Sequence, residues 1–224
     1  FNGGAITIVE ADAMVLRGTS TGTSADLDTT TGSITDDGTA NVTITGNADV
    51  NTVDDSLITL NDTLAFGTLT FNGGAITIVE ADAMVLSGTS TGTSADLDTT
   101  TGSITDDNTA NVTIIGNADV NTVDDSLITL DDTYAFGTLT FNGGAITIVE
   151  ADAMVLAGTS TGTSADLDTA TGSITDDNTA NVTITGNADV NTVDDSLITL
   201  DDTYAFGTLT FNGGAITIVE ADAM

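Results

Sequence analysis

The chain has 224 residues, of which 34 are acidic and one is basic, so its formal net charge at pH 7 is −33. Nucleic acid is excluded as a partner because phosphate binding depends on Lys and Arg, and anionic membrane surfaces are disfavoured for the same reason. No apolar run approaches the ~18 residues that a membrane-spanning helix needs. The lack of His and Cys excludes Ser–His and Cys–His nucleophile pairs.

The sequence repeats itself with a fixed period and almost without change. FNGGAITIVEADAMVL begins at Phe1 and recurs at Phe71 and Phe141, and the chain ends in a fourth copy that starts at Phe211. The repeats are therefore 1–70, 71–140, 141–210 and the partial repeat 211–224. We expect 1–224 to be one continuous array and a segment of a longer one. A single active site gains nothing from being copied, so the array favours a structural role and argues against an enzyme.

Within a unit, short runs alternate apolar and polar residues. From Gly32 onward they read GSITDD, ANVTITG, NADVN, DSLITLND, AFGTLTFN, GGAITIVE, AMVL and SADLDT. This period of two predicts β-strands with one face inward, and Gly, Asn, Asp and Ser between the runs indicate turns. The predicted core consists of Val42, Ile44, Ile58, Leu60, Leu69, Phe71, Ile76 and Ile78.

An Ile-Thr motif recurs inside the unit and predicts stacked coils. The motif isoleucines are Ile34, Ile58, Ile76 and then Ile104, and the intervals between them are unequal. These spacings predict an all-β parallel β-solenoid with about three rungs per unit, each about 23 residues long. Rungs that stack at about 4.8 Å would make the unit about 14 Å long. The longest loop is expected at RGTSTGTSAD, which follows Leu16.

The positions that differ between units test this register. Thr45 is Ile115 in the second unit, and it follows Ile44, so it should face outward. Position 64 is Leu in the first unit and Tyr in the next two (Tyr134 and Tyr204), two residues before a Phe. Its parity does not decide between core and surface.

A string of small antiparallel β-sandwiches is the alternative fold. Seven or eight short strands would suit one sandwich per unit, but a unit of about 70 residues is short against the ~100 of an immunoglobulin-type domain. The sandwich also leaves the internal Ile-Thr echo without an explanation.

The segments GSITDDGTANVTITGNADV, SLITL and AFGTLTFNGGAITI resemble the repeats of filamentous-haemagglutinin-like and autotransporter-like bacterial surface proteins. The resemblance covers the whole chain through degenerate Gly/Thr/Asn-rich strands. It implies a right-handed parallel β-helix that is secreted and held at the cell surface as the shaft of an adhesin or a filament. The near-identity of the units also fits a self-assembling extracellular fibre.

Acidic residues follow each Ile-Thr strand, and stacking would bring them to one edge of the rod. Like charges at stacking distance repel by about 1 kcal/mol per pair even in water, and a hard cation would offset that repulsion. The sequence therefore suggests weak Ca²⁺ sites, with a solvated acidic edge as the alternative. Asp54 and Asp55 offer a further position. The candidate ligands are Asp36, Asp37, Asp62, Glu80, Asp82, Asp106, Asp107 and Asp132. No cofactor is required.

Several functions remain open from the sequence. The partners we expect are other copies of the chain, through end-to-end or lateral assembly, or else surface polymers or host receptors bound by an adhesin. Tyr134 and Tyr204 offer a weak carbohydrate-binding hypothesis, and the Thr-x-Thr pairs of the strands offer an ice-binding one. Paired carboxylates could also indicate a glycosidase, but every acid recurs in polar turn sequence, which argues against catalysis.

Overall fold

The computed structural model describes residues 1–221 and consists of β-strands joined by turns. The last three residues of the partial repeat 211–224 lie outside that range. Within it the structure contains no α-helix, and accordingly no helix that could cross a membrane.

The strands recur with the period of the sequence. The first unit contains β1 (Ala5–Glu10), β2 (Met14–Leu16), β3 (Thr19–Gly22), β4 (Ser24–Thr29), β5 (Ile34–Asp36), β6 (Asn41–Thr52), β7 (Ile58–Leu60) and β8 (Thr63–Asn72). The second contains β9 (Ala75–Glu80), β10 (Met84–Leu86), β11 (Thr89–Gly92), β12 (Ser94–Thr99), β13 (Ile104–Asp106), β14 (Asn111–Thr122) and β15 (Ile128–Asn142). The remainder contains β16 (Ala145–Glu150), β17 (Met154–Leu156), β18 (Thr159–Gly162), β19 (Ser164–Thr169), β20 (Ile174–Asp176), β21 (Asn181–Thr192), β22 (Ile198–Leu200), β23 (Thr203–Asn212) and β24 (Ile216–Ile218).

Every strand pairs in parallel with strands of the neighbouring coils. Ile8 lies under Leu27, Leu27 under Val50, and Val50 under Phe71. The chain forms about 10 turns with a spacing of about 21 residues. The prediction of a parallel β-solenoid is confirmed, with coils slightly shorter than expected.

Each coil has two unlike halves. One half is a continuous strand, such as β4, and the other is broken by a turn into two pieces, such as β5 and the start of β6. The continuous halves of the first unit are β1, β4 and the ends of β6 and β8, and they stack on one side. The next continuous strand, β9, stacks on the opposite side, on β7.

Each unit therefore contains seven half-coils, which is an odd number. As a result, successive units present the same sequence on opposite sides of the rod. Ile8 lies in one column of side chains, and its equivalent Ile78 stacks on Leu60 in the opposite column. The third copy, Ile148, returns to the first side, in the column that contains Leu86 and Leu69.

Because the units alternate, one of the predicted rungs, from Ile76 to Ile104, is wrong. Ile34, Ile58 and Ile76 stack directly on one another, as expected. Ile104, however, stacks between Met84 and Ile128 on the other side of the rod, and Ala95 is the residue above Ile76. The interval from Ile76 to Ile104 is therefore not a rung.

Inward side chains of both halves form one hydrophobic core. All eight predicted core residues are buried. Leu64, Tyr134 and Tyr204 are fully buried beside the Phe residues that follow them, so the tyrosine rings cannot receive a carbohydrate. Ile115 is 76% exposed, which confirms the outward orientation of that position.

The prediction of a long loop at RGTSTGTSAD is wrong, because this segment forms β3 and the start of β4. Its inward residues, Ser20 and Gly22, are small and lie under the next coil. Burial of the serine is tolerated because its hydroxyl has a partner: in the second unit Ser90 Oγ accepts a hydrogen bond of 3.1 Å from the Phe71 N–H. The irregular segment lies elsewhere, at 53–57 between β6 and β7.

Candidate functional site

Three aspartates meet where the broken half of one coil turns a corner. Asp106 ends β13, and β13 pairs with the first residues of β15. This register brings Asp106 beside Asp131 and Asp132, which form the corner of the next coil. We call Asp106, Asp131 and Asp132 the acidic corner. One carboxylate oxygen from each lies within 4.8 Å of the other two, and Asp176, Asp201 and Asp202 repeat the arrangement in the third unit.

Backbone and tyrosine donors fix the acidic corner. Asp106 Oδ2 accepts hydrogen bonds from the Asp131 N–H at 2.9 Å and from the Tyr134 hydroxyl at 3.0 Å. Asp132 Oδ2 accepts one from the Ala110 N–H at 2.9 Å. These contacts use one oxygen of Asp106 and one of Asp132.

The first unit has a weaker version of the corner. Asp36 Oδ2 accepts hydrogen bonds from the Asn61 and Asp62 N–H groups. Asn61 stands where the second unit has Asp131, and Leu64 where it has Tyr134. The first unit therefore lacks both the third carboxylate and the tyrosine hydroxyl.

Burial and neighbouring carboxylates both raise pKa values in the acidic corner. Burial raises the pKa of Asp132, and the charge of Asp106 raises it further, against a lowering contribution from the Ala110 N–H. Burial and the neighbouring Asp106 also raise the pKa of the Tyr134 hydroxyl, so this group remains a hydrogen-bond donor at neutral pH.

The donor set of the acidic corner fits a hard divalent cation. Ca²⁺ binds six to eight oxygen ligands, commonly carboxylates and waters. Three aspartates supply only part of that set, and water would have to supply the rest, so any binding would be weak. Sequence reasoning did not include Asp131 among the ligands. The signal for it was the position itself, which is Asn in the first unit and Asp in the other two.

The other predicted ligands are not among the carboxylates that meet at the acidic corner. Asp37 and Asp107 cap their own turns: each accepts hydrogen bonds from the N–H and the hydroxyl of the Thr two residues later. Asp82 is exposed in the turn after β9. Asp54 accepts the Gly32 N–H at 3.1 Å, which lowers its pKa.

Glu80 is inside the rod, so the prediction that it lies on an acidic edge is wrong. Its side chain is fully buried, and Oε2 accepts a 2.8 Å hydrogen bond from the Phe66 N–H. Oε1 has no partner. Burial raises the pKa of Glu80 to about 8, against the lowering effect of the Phe66 N–H. Glu150 repeats the arrangement with Phe136 at 2.9 Å.

A second set of acids lies on the flat continuous halves, which sequence reasoning did not single out. Asp96 stacks beside Asp119, and Asp98 accepts a 2.9 Å hydrogen bond from Asn121. Burial raises the pKa of Asp96 to about 6, with further contributions from the charges of Asp98 and Asp119. The alternation of SADLDT and GNADVNT points these acids outward.

The outward threonines do not form a regular lattice. Thr43 stacks between Thr21 and Ala65, and Thr70 stacks on Asp49. The longest ranks of Thr, such as that of Thr35, Thr59 and Thr77, extend over three coils and then end. This geometry therefore does not support the ice-binding hypothesis.

Comparison with known proteins finds a similar repeat family but indicates no activity. Residues 143–206 match a family described as repeats of unknown function (DUF5649). The matched segment lies inside the third unit, and the first two units carry almost the same sequence. No curated protein and no solved structure matches the chain. The chain is thus a tandem-repeat β-solenoid protein, one unit of which is similar to that repeat family.

Proposed function

We propose that the chain is part of a rigid extracellular shaft, as in a bacterial surface adhesin or filament, with a mechanical and non-enzymatic role. The observation that carries the proposal is the continuity of the coils across unit boundaries. β8 of the first unit pairs with β10 and β11 of the second, and β7 of the first unit pairs with β9 of the second. Within the described residues, no linker interrupts the ladder or the core between repeats.

Because the coils are continuous from unit to unit, adding repeats makes the rod longer. Each added unit adds three and a half coils, or about 17 Å at about 4.8 Å per coil. Parallel ladders and a shared core resist bending at every boundary, whereas linked globular domains would bend at their linkers. An extracellular location is consistent with a fold that needs no Cys and with a chain that offers trypsin a single basic residue.

Atomic force microscopy of chains with three, five and seven units tests the shaft. We expect straight rods whose contour lengths increase by about 17 Å per unit, without a hinge at unit boundaries. Display of the same chains on a bacterial surface, with a tag at the distal end, should move the tag outward in proportion. Flexible chains that bend at every unit boundary would contradict the proposal.

We also propose that the acidic corner binds Ca²⁺ weakly and so offsets its own repulsion. Titration calorimetry should show two sites per chain, at the corners of the second and third units. Asp131→Asn should remove one site, while Asn61→Asp should add one, because it supplies the missing carboxylate of the first unit. Absence of heat at millimolar Ca²⁺, or a stoichiometry that ignores both substitutions, would refute the cation site.

A further inference from the structure

The outside of the rod carries a dense and almost purely negative charge. Residues 71–140 contain 11 acidic side chains and no basic one. Glu80 is buried, and the other ten, all aspartates, are exposed or half-buried. Since the unit is about 17 Å long, the surface bears one carboxylate per about 1.7 Å of axis.

That spacing equals the charge spacing of double-stranded DNA, which carries one negative charge per about 1.7 Å of helix axis. A polyanion of this density holds a condensed layer of counterions. A ligand with several positive charges releases those ions when it binds, and the release drives binding in proportion to the ligand's charge.

Each unit carries carboxylates on both sides of the rod, and the half-coil alternation exchanges the two sets between units. In the second unit, Asp96 and Asp119 lie on the continuous side, while the acidic corner lies on the broken side. The third unit reverses the two sides. Burial is the largest cause of the raised pKa values of Asp96 and Asp166, and neighbouring carboxylates raise them further. The surface acids therefore repel one another. Arg17 is the one basic side chain in the sequence.

We propose that the rod binds lysine- or arginine-rich polypeptide segments along its length, as a polyanion binds a polycation. The partner is recognised by its linear charge and needs no pocket. This inference goes beyond the shaft function, and it does not depend on the calcium sites, because monovalent counterions suffice for the driving force.

Fluorescence anisotropy with labelled, end-blocked octalysine tests the proposal, in EDTA at pH 7.5 from 20 to 300 mM NaCl. The logarithm of the binding constant should fall with the logarithm of the salt concentration at a slope of about −7. Affinity should therefore drop roughly 10³–10⁵-fold between 50 and 200 mM. Spermine, with four charges, should give about half the slope, and octalysine of D-residues should bind as well as the L-form. No binding at 20 mM, salt-independent binding, or binding of the L-form alone would overturn the proposal.

A variant with fewer charges provides a second measurement. Six exposed aspartates in turns change to Asn: Asp12, Asp55, Asp82, Asp125, Asp152 and Asp195. Asn tolerates the positive φ of Asp55, Asp125 and Asp195, and circular dichroism verifies the fold. The matched control changes Val53, Val123 and Val193 to Ser in neighbouring exposed positions. Octalysine affinity at 100 mM NaCl should fall at least about threefold in the Asn variant and stay unchanged in the control; equal affinities would contradict the proposal.

Discussion

Single residues explain how the rod passes from one unit to the next. At the boundary between the first and second units, β9 stacks on β7. Just after β9, the Ala81 N–H donates a hydrogen bond to the Leu64 carbonyl of β8. Two residues further along β8, the Phe66 N–H donates a hydrogen bond to the Glu80 carboxylate. The buried glutamate therefore replaces a missing main-chain acceptor. Its parity, two residues after Ile78 and four after Ile76, was enough to predict an inward side chain, but its charge suggested the surface.

The buried glutamates should make the protein less stable as the pH rises through neutrality. Because the folded state raises the pKa of Glu80 and Glu150 from the ordinary 4.5 to about 8, their contribution is complete below about pH 4.5 and is lost as the pH rises to about 8. The total loss is on the order of 5 kcal/mol per site. We expect the melting temperature to fall as the pH rises from about 5 to about 8 and then to level off.

Conversion of both glutamates to Gln should remove most of that fall, because Gln keeps the acceptor without the charge. The acids nearest to them, Asp82 and Asp152, provide the control, since burial and not their charge is the larger cause of the raised pKa. A double Asn variant at those positions should retain most of the pH dependence. An unaltered decline in the Gln variant would show that other groups cause it.

At the scale of the strand, glycines permit the corner between the two halves of a coil. β6 carries a bulge between Ile44 and Asn47, where Thr45 and Gly46 lie opposite Gly67 of β8. Alternation in the sequence correctly predicted that Val42 and Ile44 of β6 and Leu69 and Phe71 of β8 face inward, but it left Leu64 undecided. It did not predict the bulge, because a Gly inside a strand indicates a turn as readily as a close backbone contact.

Replacement of Gly67 by Ala should destabilise the rod, because the added Cβ would lie 2.3 Å from the Thr45 carbonyl oxygen. Overpacking of this kind costs roughly 1–3 kcal/mol, which urea denaturation can measure. Gly4→Ala is the matched control, since its Cβ would meet no atom closer than 3.9 Å. Equal stabilities of the two variants would show that the corner is looser than the structure indicates.

At the scale of the whole molecule, the sequence predicted a solenoid but not the alternation of its units. The period of the repeat and the stack of Ile34, Ile58 and Ile76 were readable because identical motifs lie in register. Ile104 has the same motif on the opposite side of the rod, and a linear pattern does not record on which side a strand lies. The acidic corner was found in part, through Asp106 and Asp132, because both follow aligned Ile-Thr strands.

Electron cryo-microscopy of a long array of these units tests the central claim, that each unit comprises seven half-coils of a continuous solenoid. We expect a coil spacing of about 4.8 Å and a rise of about 17 Å per unit. Successive units should be related by a rotation of roughly half a turn, so that the pattern repeats every two units. A repeat of one unit without rotation would contradict the alternation, and a rise of several tens of ångströms per unit would contradict the solenoid itself.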